Sequence, residues 1–258
     1  DNREERMATA AGAGAARRGR RDEEGKTKRK RATAGEAPGG ARWPLIKPKS
    51  DLQVTRLKGN LLFTVPNLFA PSETKALIEA AELFGFVHQG SLGPVRGEAY
   101  RDNDRISLNN PELAKNIWES GLGKMFSNIE LQGKVAVGLN PNIRFYRYKV
   151  GQRFGRHIDE SVNLGKGCIT QYTLLVYLTG NFGPKVKNDS RRNQDSSVPF
   201  LVGGETVFYD ERGGTVAEVA PVEGMALLHI HGYRCMLHEA RAIVNGIKYV
   251  LRSDVAFA

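Results

Sequence analysis

Apolar residues recur at intervals of three and four between Pro71 and Phe84, for example at Leu77 and Ala81. This spacing predicts one amphipathic helix, and Pro71 suits its start because the first helical turn does not use the backbone nitrogen of a proline. A second, shorter helix is predicted over 111–120, where apolar residues again fall on one face. Two helices are therefore expected in the first half of the chain.

After residue 140 the pattern changes to short runs rich in β-branched and aromatic residues, separated by Gly, Pro and Asn. The strands predicted there are 143–148, 169–178, 205–209, 215–219, 226–230, 236–240 and 248–257. One earlier strand is predicted at 61–65. Many short strands with turn residues between them favour a sandwich or barrel over a parallel sheet. Asn245-Gly246 predicts a tight hairpin between the last two strands. Residues 91–105 are expected to form a long surface loop, and 181–199 a flexible insertion.

The composition changes sharply near residue 50. Residues 1–50 carry 14 Lys and Arg against seven Asp and Glu, which accounts for +7 of the formal charge of +10. Residues 8–42 contain no Phe, Tyr, Ile, Leu or Val, so this stretch cannot bury enough apolar surface to offset its ordering entropy. We predict a disordered basic tail and linker over 1–50 and one domain over 51–258.

The basic run 26–31 is typical of a nuclear import signal or a nucleic-acid contact, although a merely solvated segment fits it equally well. A nuclear or cytoplasmic location is expected, with an organellar transit peptide beginning at Met7 as the alternative. No stretch approaches the roughly 18 consecutive apolar residues of a membrane helix, so no membrane partner is expected. Cys168 and Cys235 do not form a secreted disulfide framework or a zinc spacing, and we expect two reduced, partly buried thiols.

Four of the five histidines lie in the β-rich half, and one of them begins a metal-binding pattern. In His157-Ile158-Asp159 an imidazole and a carboxylate share one face of an extended segment, because side chains alternate with period two. One further histidine would complete a set of two His and one carboxylate, which suits non-haem Fe(II) with three open positions. The candidates for that third ligand are His229, His231 and His238.

Lys248 favours His238 among these candidates. It follows His238 by ten residues across the predicted hairpin, where a cation could bind the distal carboxylate of an acid that chelates the metal. His229 and His231 alternate with apolar residues, which is typical of two polar side chains on one face of a core strand. We therefore predict His238 as the third ligand, with His231 as its main competitor.

These features together resemble the catalytic domain of the prolyl 4-hydroxylase-like 2-oxoglutarate/Fe(II) oxygenases. The resemblance is carried by Arg147-Tyr148 ahead of the His-x-Asp pair, the turn Gly203-Gly204-Glu205-Thr206, His238, and Lys248 ten residues later. It covers about residues 60–258 in organisation and 142–258 in motifs. It implies an α+β, mainly β fold, a double-stranded β-helix or jelly roll with the N-terminal helices packed on the sheet.

The resemblance also implies roles for individual residues. His157, Asp159 and His238 become catalytic iron ligands, and Lys248 binds the distal carboxylate of the cosubstrate 2-oxoglutarate. Tyr148 matches a tyrosine that hydrogen-bonds the cosubstrate. A half-buried tyrosine of a strand, with no contact to the cosubstrate, explains Tyr148 about equally well. The remaining cosubstrate candidates are weaker: Arg252, for which a structural ion pair is the stronger interpretation, and Thr173. The implied cofactors are Fe(II) and 2-oxoglutarate, with ascorbate as an optional addition.

The expected activity is hydroxylation of a C–H bond, with release of succinate and carbon dioxide. An intracellular protein is the first expectation for the substrate, with prolyl hydroxylation implied by the resemblance alone. A nucleic-acid base, a small molecule, or a non-catalytic jelly-roll interaction module are the alternatives. Three arginines of the 91–105 loop, Arg96, Arg101 and Arg105, are candidate substrate contacts, although a solvated mixed-charge loop is the stronger interpretation for most of them.

Overall fold

The computed structural model describes residues 42–90, 99–180 and 200–258. Two α-helices are present in these ranges, Pro71–Phe84 (α1) and Pro111–Glu119 (α2), with short 3-10 turns at Leu122–Phe126 and Gly232–Arg234. The strands are Thr55–Lys58 (β1), Leu62–Val65 (β2), Val87–Gly90 (β3), Asp102–Asn109 (β4), Glu130–Leu131 (β5), Lys134–Leu139 (β6), Asn142–Tyr148 (β7), Phe154–His157 (β8), Asn163–Gly165 (β9), Cys168–Tyr177 (β10), Val202–Gly203 (β11), Thr206–Tyr209 (β12), Thr215–Val219 (β13), Ala226–Ile230 (β14), Leu237–Ala240 (β15), Ile243–Asn245 (β16) and Lys248–Phe257 (β17). None of the helices in these ranges is long and apolar enough to cross a membrane.

The strands form a large and a small antiparallel sheet. The large sheet has the order β1-β2-β14-β10-β17-β7-β4-β3, with β5, β6 and β9 beside it. The small sheet has the order β13-β12-β15-β8, and β11 pairs separately with β16. The fold is therefore mainly β with antiparallel pairing, as predicted, and is consistent with a jelly-roll-like arrangement.

Alternation along the strands of the large sheet separates two hydrophobic clusters. Phe145 and Leu251 belong to one cluster together with Leu77 of α1 and Ile117 of α2. Their neighbours on the same strands, Tyr146 and Val250, belong to the second cluster. This second cluster also contains Phe208 and Val219 of the small sheet. Because side chains alternate with period two, the two clusters lie on opposite faces of the large sheet.

Both helices begin as their sequences predict. The Glu73 carboxylate accepts a hydrogen bond from the Ala70 backbone N–H at 2.7 Å, which satisfies a donor at the start of α1. The Asn110 side chain accepts one from the Leu113 N–H at 3.0 Å at the start of α2. Proline occupies the first turn of each helix.

Residues 43–49, assigned to the linker from the sequence, pack on the folded domain. Trp43 stacks on Phe145 with ring centroids 5.0 Å apart, and the Ile46 side chain is fully buried. The Lys49 ammonium contacts the Glu73 carboxylate at 2.6 Å. The isolated apolar residues of a proline-punctuated segment have no periodicity, so the sequence pattern could not show that they reach the core. The rest of the predicted tail, 1–41, and the predicted insertion at 181–199 lie outside the described residues.

Two sequence predictions about the strands are wrong. The predicted surface loop 91–105 ends in β4, which pairs with β3 and β7, while its part 91–98 lies outside the described residues. The predicted hairpin between the strand of His238 and that of Lys248 does not form, because β15 lies in the small sheet and β17 in the large one. The Asn245-Gly246 turn instead connects β17 to the short strand β16, which pairs with β11.

Replacement of Ile46 by alanine tests whether residues 43–49 stabilise the domain. Ile46→Ala removes fully buried methyl groups, so the free energy of unfolding should fall by about 2–5 kcal/mol. Leu45→Ala is the matched control, because that side chain is 74% exposed and its loss should change the stability by less than about 0.5 kcal/mol. Urea unfolding measures both, and equal stability of the two variants would show that this segment does not belong to the core.

Candidate metal centre

Residues of the two sheets meet at a polar site inside the β structure. On the large sheet, Thr173, His229 and Arg252 lie on the same strand faces as the apolar residues that pack with the small sheet. On the small sheet, His238 lies directly opposite His157 in the pairing of β15 with β8. Apart from Asp159, which follows β8 directly, these residues lie on regular strands, which hold side chains more rigidly than loops do.

The three residues predicted as metal ligands are adjacent. His157 Nε2 lies 3.7 Å from Asp159 Oδ1, and His238 Nε2 lies 3.6 Å from Asp159 Oδ2. One potential ligand atom of each residue lies within 4.8 Å of those of the other two. Asp159 and His238 are buried and His157 is nearly so, which keeps the cluster largely out of bulk water.

Both predicted histidine ligands present the same nitrogen to the centre. His157 Nδ1 lies 2.9 Å from the Gly155 carbonyl oxygen, and His238 Nδ1 lies 2.9 Å from the Met236 carbonyl oxygen. A carbonyl can only accept, so each Nδ1 carries a proton and donates it. Each Nε2 can then offer its lone pair to a metal, in the orientation that such backbone hydrogen bonds fix in known metal sites. Two imidazole nitrogens and one carboxylate fit Fe(II) with open positions.

The pKa values of the cluster place its charges on Asp159 and His238. Burial and the neighbouring His238 lower the pKa of His157 to about 3. Burial opposes protonation of His238, but its contacts with Asp159 and Cys235 raise its pKa to about 9. Although burial favours the neutral acid, Arg252 and His238 hold the pKa of Asp159 well below its usual range. At neutral pH His238 is therefore protonated on both ring nitrogens and lies beside an ionised Asp159. Metal binding would release the proton on its Nε2.

The Asp159 carboxylate is held by groups outside the triad. Arg252 Nη2 lies 2.9 Å from Asp159 Oδ1, and the Thr173 hydroxyl donates to Asp159 Oδ2 at 2.8 Å. Thr173 also lies 3.1 Å from His231 Nδ1, which must donate to it because the single hydroxyl proton is already used. The structure thus places Arg252 in an ion pair with Asp159, which was the stronger interpretation of this arginine, and places Thr173 beside the carboxylate.

The other two histidine candidates occupy different environments. His231 Nε2 lies 3.0 Å from the Thr170 hydroxyl, so both ring nitrogens of His231 are engaged by threonines. His229 is fully buried, and its Nε2 lies 3.5 Å from Asp159 Oδ2 without a hydrogen-bond partner among the described residues. His229 also belongs to a second potential ligand group, His229, Cys235 and His238. Cys235 and Cys168 are free and partly buried, as expected.

Lys248 reaches the same pocket as the triad from the large sheet. Its ammonium is buried, donates to the Gly204 carbonyl oxygen at 2.5 Å, and lies 5.6 Å from the centroid of the Tyr148 ring. Burial lowers the pKa of Lys248 to about 7. Tyr148 and Lys248 line one pocket together with His157, Asp159 and His238. The pocket therefore brings together the residues that the sequence assigns to the metal and to the cosubstrate.

The Gly203-Gly204 turn brings a backbone carbonyl to the Lys248 ammonium. Both glycines have positive φ angles, 82° and 76°. A Cβ at Gly204 would lie 3.0 Å from Lys248 Cδ, and one at Gly203 would lie 2.4 Å from the Ala242 carbonyl oxygen. Glycine is therefore required for the backbone to approach Lys248 closely enough to accept its hydrogen bond.

His229 is the site residue whose place the sequence did not indicate. The pattern placed it and His231 together on one face of a core strand. The alternation itself contained the usable signal, because His229 shares its face with Leu227, which packs towards the small sheet. It could not show whether a ligand or a neighbouring strand lies opposite that face.

No protein-family model matches the chain, and no curated protein matches it. Solved structures do. A viral collagen prolyl hydroxylase from Paramecium bursaria Chlorella virus-1 matches with a TM-score of 0.49 and 18% identity over 79% of this chain and 99% of its own. A prolyl hydroxylase from Trichoplax adhaerens, in complex with a hypoxia inducible factor oxygen degradation domain peptide fragment, matches with a TM-score of 0.49 and 17% identity. The match covers 77% of this chain and 84% of that protein. An oxidoreductase of the 2OG-Fe(II) oxygenase family from Burkholderia pseudomallei matches with a TM-score of 0.46 and 16% identity. The match covers 77% of this chain and 86% of that protein.

These structures are prolyl hydroxylases and 2OG-Fe(II) oxygenases, the family that the sequence motifs resemble.

Replacement of each of two buried histidines by leucine tests which of them binds metal. His238→Leu should lower the affinity for Mn(II) by more than 100-fold, because it removes an Nε2 that faces the centre. His229→Leu, a matched change on the opposite sheet, should lower it by no more than about 10–100-fold, the range typical of changes to groups that only surround a metal. Calorimetric titration of the apoprotein measures both, and a larger loss in His229→Leu would exchange the two roles.

Proposed function

We propose that this chain is an Fe(II)- and 2-oxoglutarate-dependent dioxygenase that hydroxylates a C–H bond of a protein substrate. One observation carries the proposal: His157, Asp159 and His238 line the same buried pocket as Lys248. Two imidazoles and a carboxylate suit Fe(II), and a buried ammonium suits the free carboxylate of a metal-chelating keto acid. A non-catalytic interaction module has no evident need for both the triad and a buried ammonium in one pocket.

Within the proposal, the bound iron with 2-oxoglutarate and dioxygen supplies C–H hydroxylation, with release of succinate and carbon dioxide. His157, Asp159 and His238 would hold the metal on one side and leave the other side for ligands. Lys248 would bind the distal carboxylate of 2-oxoglutarate, and the Gly204 carbonyl would hold its ammonium in place. Arg252 and Thr173 would keep Asp159 ionised and fixed in orientation.

Tyr148 and Arg252 contribute differently in this proposal. The Tyr148 ring lies against the Lys248 ammonium, and burial raises the pKa of its hydroxyl, so the phenol stays protonated as a donor for the cosubstrate. Arg252 is engaged by Asp159, and its second carboxylate neighbour is Asp254, with 3.7 Å between Nη2 and Oδ1. We therefore assign Arg252 to the support of Asp159 rather than to direct binding of 2-oxoglutarate.

A protein substrate is supported by an open cleft beside the triad. This cleft has a volume of about 1210 Å³ and is lined by His157 and Asp159 among others, so it can admit a segment of polypeptide. Residues 51–258 carry 24 Lys and Arg against 21 Asp and Glu, a balance that gives little support for a nucleic-acid substrate.

Anaerobic titration of the protein with Fe(II) and 2-oxoglutarate tests the proposed chemistry. A visible charge-transfer band of a chelated keto acid should form in the wild type and be absent in His238→Ala. The absence of a band in the wild type, together with unbound iron, would contradict the dioxygenase assignment and favour a jelly-roll interaction module.

The pH dependence of 2-oxoglutarate binding tests the role of Lys248. The pKa of Lys248 is lowered to about 7 by burial, so its charged fraction falls as the pH rises above 7. The dissociation constant of 2-oxoglutarate should therefore increase with rising pH, by at most about tenfold per unit. In Lys248→Met binding should be weak and independent of pH over this range. Lys75→Met, at an exposed position of α1, should behave as the wild type. A sloping profile in Lys248→Met would assign the titration to another group.

A further inference from the structure

Arginines dominate the open cleft beside the triad. Five of them line it, against two carboxylates, Asp159 and Glu160. The five are Arg101, Arg105, Arg144, Arg156 and Arg252. The cleft that leads to the candidate metal centre is therefore strongly cationic, although the charge of the domain as a whole is nearly balanced.

Three adjacent strands, β4, β7 and β17, bring three of the five arginines together. Arg252 of β17 lies directly opposite Arg144 of β7, and Arg105 of β4 lies opposite Tyr146, two residues further along β7. Like charges in directly opposite or diagonal positions of a sheet destabilise it. A sheet that carries them needs either carboxylates among them or an anionic ligand.

Carboxylates neutralise only part of this cluster. Arg144 pairs with Asp254, and Arg252 pairs with Asp159. Among the described residues, Arg101 and Arg105 have no carboxylate within 4.0 Å. The buried Nε of Arg105 has no hydrogen-bond partner there either. Burial and the charges of Arg144, Arg101 and Arg252 lower the pKa of the Arg105 guanidinium, as expected where positive charge accumulates.

Arg101 is held close to the candidate metal centre by stacking. Its guanidinium lies 4.2 Å from the centroid of the Phe154 ring, and that ring stacks on the His157 imidazole with centroids 3.6 Å apart. Only one aromatic ring therefore separates the Arg101 guanidinium from a predicted metal ligand. A stacked guanidinium keeps its edge N–H groups available to an anion.

We propose that Arg101 and Arg105 bind a substrate carboxylate next to the C–H bond that is hydroxylated, so that the substrate is an acidic peptide segment. This inference rests on the proposed function, because it places the substrate beside the triad. A guanidinium fork matches a carboxylate with two parallel hydrogen bonds. The cosubstrate does not account for these arginines, because Lys248 lies in the inner pocket and does not line the cleft.

The surroundings of the cleft favour a peptide over a nucleic acid. Glu160 lines it, and Asp102 accepts a hydrogen bond from Gln152 close to His88, another lining residue. Glu239, at the inner pocket, lies 4.0 Å from the Arg156 guanidinium. A continuous phosphate backbone would be repelled by these carboxylates, whereas a peptide with one or two acidic side chains would meet Arg101 and Arg105 alone.

The test measures the distance between a peptide carboxylate and a metal in the triad. The full-length protein is loaded with Mn(II) and ¹³C-labelled 2-oxoglutarate, and a short Gly/Ser peptide with a central proline flanked by ¹³C-carboxylate glutamates is added. Mn(II) should accelerate relaxation of the glutamate carboxylate carbons in the wild type. In the double variant Arg101→Gln/Arg105→Gln the relaxation enhancement of these carbons should be at least about tenfold smaller, because each lost ion pair weakens binding of the peptide.

Two controls isolate the arginines. Arg153→Gln removes an exposed arginine that also stacks on an aromatic ring, Tyr100, but does not line the cleft, and it should keep the wild-type relaxation. Relaxation of the 2-oxoglutarate label in the double variant should equal that in the wild type, which shows that the variant is folded and loaded. The basic tail is the same in all these proteins, so any binding of the peptide to the tail is common to them and cannot produce a difference between the variants.

Three results would overturn the inference. If 2-oxoglutarate is relaxed in the wild type but the glutamates are not, the acidic-peptide inference is wrong while the proposed function stands. If neither is relaxed, the proposed function fails and the inference fails with it. If oligothymidylate displaces the peptide and depends on the same arginines, the cleft binds a polyanion and the substrate is a nucleic acid.

Discussion

The Asp159 carboxylate is the group on which the rest of the site depends. Each oxygen has a fixed partner, Arg252 on Oδ1 and Thr173 on Oδ2, and the Nε2 atoms of His157 and His238 approach from the small sheet. Loss of one partner from a buried ion pair typically costs about 3–5 kcal/mol, because the other charge is left uncompensated. Asp159 therefore has a structural role in addition to its proposed role as a ligand, and it joins the two sheets at the place where chemistry is proposed.

Alternation along the strands explains how the site and the core coexist. The face of the large sheet that packs with the helices is apolar, whereas the opposite face carries apolar residues at one end and Thr173, His229 and Arg252 near the site. Among the described residues, the Nε2 of His229 and the Nε atoms of Arg105, Arg144 and Arg252 are buried without a hydrogen-bond partner. All four side chains belong to the region around the triad and the cleft, so the unsatisfied polar atoms concentrate where binding is proposed.

Much of this arrangement is predictable from local pattern. The helix at Pro71–Phe84 follows from apolar spacing, and the proximity of His157 and Asp159 follows from the period of an extended chain. The choice of His238 depended on the ten-residue spacing to Lys248, and the geometry also brings both residues to one pocket. The reason offered for that spacing, a hairpin between their strands, is wrong, because the two strands belong to opposite sheets.

The features that the pattern missed depend on contacts between distant segments. Strand β4 contains several charged residues and lacks a hydrophobic run, so its sequence resembles a loop until β3 and β7 supply its hydrogen bonds. The buried position of Ile46 depends on α2, whose Asn116 accepts a hydrogen bond from the Ile46 N–H at 2.6 Å. Arg101 and Arg105 become a cleft surface only once β4 is placed beside β7. Such tertiary pairing overrides local propensity and is invisible in a single sequence.

X-ray absorption spectroscopy of the anaerobic Fe(II)-loaded protein tests directly whether His157, Asp159 and His238 form the metal centre. We expect the iron to have nitrogen and oxygen ligands only, including two imidazoles, and an unchanged spectrum in Cys235→Ala. A sulfur ligand that disappears in Cys235→Ala would instead place the metal at His229, Cys235 and His238 and rule out the proposed centre.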